Sequence, residues 1–267
     1  MPATYAALWS VVNKTCYRLD GWTPTSLLDI GAGSGTSLWV AASRWPSLAD
    51  STLIDPNDHM IQLGRRLAST SSHPVVASAR WQRGRLEAET NLPKADLVVA
   101  SYVTNEMPRS DLEGAIERLW SAATGVMILV EPGTPSGFDL VRQARKRLIA
   151  LGARIVAPCP HGRDCPMPHG DWCHFSVRLP RSRLHRSVKP GELGYEDEKF
   201  SYVIASRGTG QPGPDRIIRR PTYRRKMIEL KTCTPTGLRD ITLTRRRDPD
   251  RYRQARSLEW GDEFPPE

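Results

Sequence analysis

The chain has 267 residues, 39% of them apolar, and no apolar run approaches the roughly 20 residues that a membrane-crossing helix needs. Five cysteines, an odd number, and an N-terminus with no basic stretch leading into an apolar one argue against a secreted disulfide framework. A soluble cytoplasmic protein is the expectation. The net charge of +9 is uneven: residues 1–133 carry −2 and residues 134–267 carry +11, mostly as arginine, which points to a polyanionic partner, nucleic acid first.

In chain order, Tyr5, Leu8, Val12, Cys16 and Leu19 recur at helical spacing and predict an amphipathic helix that covers a sheet. Ser26–Ile30 is a short apolar strand, and Gly31, Gly33 and Gly35 follow at once, before a second helical pattern over 37–42. Strand, glycine loop and helix in that order are the context in which glycines let a backbone turn sharply and approach a ligand. The spacing is that of S-adenosylmethionine enzymes; a dinucleotide loop would place its third glycine where Thr36 stands. Asp29 is the next-to-last residue of that strand. The next strand, 51–55, ends in Asp55, about 20 residues on, where an acid suits ribose hydroxyls, or alternatively caps the turn before Pro56.

A third strand is expected near 75–81 and a fourth over 95–101. Ligands of an open α/β sheet sit at the carboxyl ends of its strands. Tyr102, Asn105 and Glu106, which follow the fourth strand, are therefore candidate catalytic residues, with capping of the helix over 112–120 as the plainer role. Neither an Asn/Asp-Pro-Pro-aromatic motif nor a Pro-Cys pair occurs there. A strand over 126–130, a helix over 138–151 bearing Arg142, Arg145, Lys146 and Arg147, a strand over 153–157 and a closing strand over 199–206 complete a Rossmann-like sheet.

Between the last two strands lies an irregular segment holding Cys159, Cys165 and Cys173. Its prolines and glycines rule out a helix or a central strand, and it offers little apolar area to offset the entropy of ordering it. A thiolate-bound metal centre would hold it, with Cys233 as a fourth ligand tying in the C-terminal segment. The spacing is looser than zinc knuckles favour and suits the more varied spacings of iron–sulfur sites, while His161, His169 and His174 keep zinc open.

After 206, Gly208, Gly210, Pro212, Gly213 and Pro214 predict a linker or long turn. Alternation at Ile228, Leu230 and Thr232 and again at Ile241 and Leu243, around Pro235-Thr236-Gly237, predicts a hairpin. Arg219, Arg220, Arg224, Arg225, Lys226 and Arg245-Arg246-Arg247 decorate it, with Tyr223 and Tyr252 as stacking positions for RNA; pairing of these arginines with Asp248, Asp250 and Glu259 is the alternative. The organisation expected is a methyltransferase-like Rossmann domain over 1–157 and 175–207, a cysteine-rich loop over 158–174 and a small basic β appendage over 208–267.

Pro2-Ala3-Thr4-Tyr5, Leu28-Asp29-Ile30-Gly31-Ala32-Gly33, Leu129-Val130-Glu131-Pro132-Gly133, Cys159-Pro160-His161, Cys165-Pro166, Trp172-Cys173-His174-Phe175 and Trp260-Gly261-Asp262 together resemble one family. It is the small-ribosomal-subunit assembly family of methyltransferase-like proteins, which includes the mitochondrial methyltransferase-like protein seventeen and bacterial relatives. The resemblance implies S-adenosylmethionine binding at Asp29, Gly31, Gly33, Gly35 and Asp55, and a [4Fe–4S] cluster on Cys159, Cys165, Cys173 and Cys233. It also implies action as a monomer on small-subunit rRNA or a pre-ribosomal particle, in the cytoplasm or, for organellar relatives, the mitochondrial matrix. Members of the family usually have a longer helical region before Pro-Ala-Thr-Tyr, which here begins at Pro2. Three functions stay open: an rRNA methyltransferase, a non-catalytic rRNA-binding assembly factor, and a zinc-braced small-molecule methyltransferase, the last disfavoured by the charge asymmetry.

Overall fold

Eight strands form one sheet: β1 (Ser26–Ile30), β2 (Asp50–Asp55), β3 (Arg80–Arg83), β4 (Ala95–Ser101), β5 (Ala123–Pro132), β6 (Arg154–Ala157), β7 (Phe175–Pro180) and β8 (Tyr195–Ser206). The order is β3-β2-β1-β4-β5-β8-β6, with β7 also paired to β8. The first five strands run parallel, and β8 enters antiparallel between β5 and β6. This is a computed structural model, and it describes residues 2–86, 91–181, 194–208, 210 and 213–265.

The central strands are continuous apolar runs because helices cover both of their faces. On one face α1 (Pro2–Arg18), α2 (Thr36–Arg44), α3 (Asp58–Ala68) and the single turn α4 (Pro74–Ala77) bury Leu8, Leu38, Ile61 and Val76 against Leu27, Leu53, Leu97 and Ile128. On the other, α5 (Leu112–Ala122) and α6 (Pro135–Ala150) bury Ile116, Leu119, Ala144 and Leu148 against Leu28, Val98, Met127 and Val203.

A second sheet follows, of β9 (Asp215–Ile217), β10 (Thr222–Arg224), β11 (Met227–Thr234), β12 (Gly237–Thr244) and β13 (Glu263–Phe264), with a short helix α7 (Pro249–Ala255). The β11–β12 hairpin forms as expected, with Ile228 opposite Leu243 and Leu230 opposite Ile241. A small cluster of Phe138, Met167, Ile218 and Cys233 joins α6, the cysteine-bearing segment and the second sheet.

Several elements differ from the expectation. In α1 the buried stripe is Ala7, Leu8, Val11, Val12 and Thr15; Tyr5 is 36% exposed and stacks on Trp9 at 6.1 Å. The segment near 75 is a helical turn because Pro74 sits at its first position after His73, and the strand starts only at Arg80. Helix α6 begins at Pro135, where the Thr134 hydroxyl accepts from Gly137 N at 3.1 Å. Strand β7, not foreseen, follows the cysteine segment directly. Within the stretch expected as a linker or long turn, Gly213 lies against the end of α1, since a Cβ there would sit 1.3 Å from Arg18 Nη2. Pro212 of that stretch lies outside the described residues.

Candidate cofactor cleft and cysteine cavity

The glycine loop needs its glycines. Gly31, Gly33 and Gly35 have φ of +68°, +55° and +85°, a region that side-chain-bearing residues rarely adopt. The loop is tied to β2: Gly31 N donates to Ile54 O at 2.8 Å, and Gly33 N to Asp55 Oδ2 at 2.7 Å. Asp55 Oδ1 accepts from Asn57 N at 2.8 Å. The turn-capping role of Asp55 is thus realised, and the same residue borders an open cleft of about 670 Å³, within the range of small-molecule sites. Gly31, Gly33, Met60, Arg83, Tyr102 and Glu106 are among its other walls. Asp29 is fully buried beneath the loop, with neither oxygen in a well-formed hydrogen bond. Burial pushes its carboxyl up to about 8, against a smaller pull from Ser37.

On the facing side the chain leaves β4 through Tyr102 at φ +58°, an uncommon conformation for a bulky residue that costs on the order of 1–3 kcal/mol. What holds it there is a network that the residue pattern did not disclose. Glu131, fully buried at the end of β5, accepts from Thr104 N at 2.8 Å and from the Thr104 hydroxyl at 2.6 Å. With its amide nitrogen turned inward, Asn105 donates to Tyr102 O at 2.8 Å and to Glu131 Oε2 at 3.1 Å. The Tyr102 hydroxyl donates to Glu198 Oε1 at 2.9 Å. Burial raises the Glu131 carboxyl to about 7, against the hydrogen bonds from Thr104. Of the three candidate catalytic residues, Tyr102 and Asn105 are therefore engaged in holding this turn, and Glu106 is exposed at the cleft. An acid at or next to the end of a buried strand, as with Asp29 and Asp55, was the available signal for Glu131.

The second site lies between the two sheets. Cys159, Cys165 and Cys173 from one segment and Cys233 from β11 line one cavity of about 40 Å³ with Arg145, Arg216 and Tyr202. All four cysteines are free. Burial raises the thiols of Cys159, Cys173 and Cys233, the last to about 12, and the other thiols raise them further. Among the described residues no three His, Cys, Asp or Glu side chains close on one point as a single ion requires.

Of the histidines weighed as ligands, His161 is the nearest, its Nε2 lying 3.8 Å from Cys233 Sγ. His174 is stacked against Trp172 at 5.5 Å and meets Trp260 edge-on at 4.3 Å, and burial lowers it to about 4. His169 is exposed and is not among the residues that line the cavity. Two arginines of the +11 half turn inward here, which composition does not reveal: Arg145 is 4% exposed and Arg216 1%. Arg216 donates to Pro158 O at 3.1 Å, Gly261 O at 2.6 Å and Glu263 Oε1 at 2.8 Å, joining the cysteine segment to the C-terminal strand.

Six other cations gather elsewhere. Arg245 N donates to Lys226 O at 3.1 Å, so two turns lie side by side and bring Arg224, Arg225, Lys226, Arg245, Arg246 and Arg247 to one exposed tip of the second sheet. Arg224 pairs with Glu229 at 3.5 Å, and the other five make no ion pair among the described residues. Arg219 is instead bound to Asp171. Tyr252 packs into the core of the second sheet and is no stacking platform, whereas Tyr223 is 50% exposed.

Residues 1–265 match the family described as mitochondrial small ribosomal subunit Rsm22. The chain belongs to this family. The Rsm22-family chain is 30% identical to the human mitochondrial ribosome assembly protein METTL17, over 98% of its own length and 60% of that protein's. It is 26% identical to the mitochondrial Rsm22-cox11 tandem protein 2 of Schizosaccharomyces pombe, over 99% of its own length and 42% of that protein's. It thus spans about half the length of these relatives. Among solved structures it resembles magnesium protoporphyrin IX methyltransferase from Synechocystis, with a TM-score of 0.50 and 16% identity over 77% of this chain and 84% of that one. It also resembles the methyltransferase domain of a bacterial Hen1, with a TM-score of 0.50 and 10% identity over 76% of this chain and 98% of that one. At these identities the likeness is one of fold: a Rossmann-like methyltransferase fold.

Proposed function

We propose that the protein is an S-adenosylmethionine-dependent, methyltransferase-like factor that acts on small-subunit rRNA during ribosome assembly and carries a four-cysteine [4Fe–4S] cluster. The observation that carries this reading is the family match along 1–265 on a chain whose glycine loop borders an open cleft. In that cleft Gly31 and Gly33 would make room for the cofactor, with Gly35 letting the loop turn, Asp55 would flank it, and Tyr102 and Glu106 would face the acceptor, while Asp29 supports the loop from beneath and Asn105 braces the Tyr102 turn. Bound there, the cofactor supplies an electrophilic methyl group; the chain's part is to orient the acceptor and exclude water. The four cysteines line one cavity, where their sulfurs would be the ligands of such a cluster.

The basic tip is the rRNA contact, its unpaired cations lying on backbone phosphates and Tyr223 offering a stacking face beside them. In this reading residues 1–157 and 175–207 form the methyltransferase-like domain, 158–174 the cluster loop and 208–267 the RNA-binding appendage. The compartment is the one that houses the ribosome served, the cytoplasm, with the matrix for the mitochondrial relatives.

A second reading, a non-catalytic assembly factor, is favoured by one observation: Tyr102 and Asn105 are already committed to Glu198 and Glu131. Binding and turnover separate the two. Calorimetry with S-adenosylmethionine, followed by methyl transfer to naked and pre-ribosomal small-subunit rRNA, should show cofactor binding in both cases and label in the RNA only in the first. No cofactor binding would sink both. For the tip, replacing Arg245, Arg246 and Arg247 by Glu should weaken rRNA binding and flatten its salt dependence, with a log–log slope reduced by about 0.7–0.9 for each phosphate no longer neutralised. An unchanged slope would move the RNA surface elsewhere.

A further inference from the structure

Arg145 is out of place on composition alone. It lies on α6, 4% exposed, on a helix whose neighbouring cations Arg142 and Arg147 pair with Asp139, Glu113 and Glu117. Among the described residues no carboxylate pairs with Arg145. Its hydrogen bonds run from Nη2 to His161 O at 2.7 Å and to His161 Nδ1 at 3.4 Å, and its Nε has no partner. It lines the same cavity as Cys159, Cys165, Cys173 and Cys233. A buried guanidinium with one carbonyl and no anion is costly, and proteins pair or neutralise such charges. The cavity that it lines is walled by the four cysteines, the proposed ligands of an anionic centre.

We propose that Arg145 is the countercharge of a metal centre held by the four cysteines: a positioning residue whose buried guanidinium answers the negative charge of the ligated centre and fixes the His161 turn beside it. The inference rests on the proposed role of the four cysteines as ligands. With neutral thiols the protein carries an uncompensated buried cation; with thiolates gathered on a metal centre the charge is answered. Arg216 differs, since it already has the Glu263 carboxylate. Arg145 thus has an electrostatic role toward the ligands without being a ligand, the kind of outer-shell contact that tunes a site's affinity and potential.

The test uses the full chain with Arg145→Lys, which keeps charge and loses the fork, and Arg145→Gln, which loses charge and keeps a donor for His161 O. Iron and sulfide analysis of the anaerobically purified wild type decides the cluster reading by itself. The proteins are then stripped and titrated with Cd²⁺, whose thiolate absorption reports ligation whichever metal is native. The expected result is a loss of about 10–100-fold in Cd²⁺ affinity for Arg145→Gln, with most of it retained in Arg145→Lys. Stripped Arg145→Gln should also melt no lower than stripped wild type, because an unanswered charge has been removed. Equal affinity in the Gln variant, or a Lys variant as weak as Gln, would overturn the proposal in favour of a purely structural fork. If iron is present, Arg145→Gln should also lower the midpoint potential relative to Arg145→Lys; identical potentials would count against the charge.

Discussion

The two sites are built by different means. The cleft is made by the backbone: three glycines at positive φ and an aspartate that ties their loop to the neighbouring strand, all within residues 29–57. The cysteine cavity is made by side chains that arrive from 159–173 and from 233 and are brought together only by the docking of the second sheet. A site of the first kind survives as long as its loop can turn. A site of the second kind depends on every element around it, and in return holds those elements together. The two should therefore fail differently.

The largest effect is expected from Gly33→Arg. The residue has φ +55° and borders the cleft, so the substitution both strains the loop and fills the space in front of it. Binding of S-adenosylhomocysteine should fall below detection by calorimetry while the metal content stays at the wild-type level. Wild-type affinity in this variant would remove the loop from the site. Cys165→Ser is the converse. It should abolish the absorption expected of the proposed cluster and leave the first five strands folded, with the second sheet opened to trypsin along its arginines. Full metal content with unchanged proteolytic resistance would rule out this ligand set. If instead each variant damaged both sites, the separation drawn between them would collapse.

The same contrast decides what is legible without the fold. The strand–loop–helix around Gly31 and the acid at Asp55 are local, so spacing alone places them, and the β11–β12 hairpin follows from alternation and its turn. The four cysteines can be grouped by residue type, and the structure brings them to one cavity. What surrounds them is not legible, because arginines read as surface charge until burial is known, and Arg145 and Arg216 are buried. The turn at 102–106 reads in sequence as three candidate catalytic side chains. Its real anchor, Glu131, lies on the adjacent strand, a neighbour that only the parallel pairing of β4 and β5 creates. The helical turn at Pro74 and strand β7 escape for a simpler reason: short segments carry too little periodicity to tell helix from strand.

Glu131 gives the smallest and most specific of the expected effects, because it bears on the cleft and leaves the cysteine cavity untouched. Its carboxyl titrates at about 7 in the folded protein, burial being the cause, against an ordinary value of 4.5. Below about pH 4.5 both folded and unfolded chains hold the proton, and the group's contribution is fully present. As pH rises toward 7 the unfolded chain releases the proton first, so stability declines, and above 7 the loss is complete. The limit is roughly 3 kcal/mol at about 1.4 kcal/mol per pKa unit, to be taken as an upper bound for a group held by several hydrogen bonds. Glu131→Gln keeps an acceptor for Thr104 and cannot ionise. Urea unfolding from pH 5 to pH 8 should then show the variant gaining on wild type as pH rises, the two curves differing by this one group because Asp29 is common to both. A difference that stays flat with pH would mean that Glu131 is ionised throughout. The turn at Tyr102 would then be held by a carboxylate, and the acceptor side of the cleft would carry a negative charge.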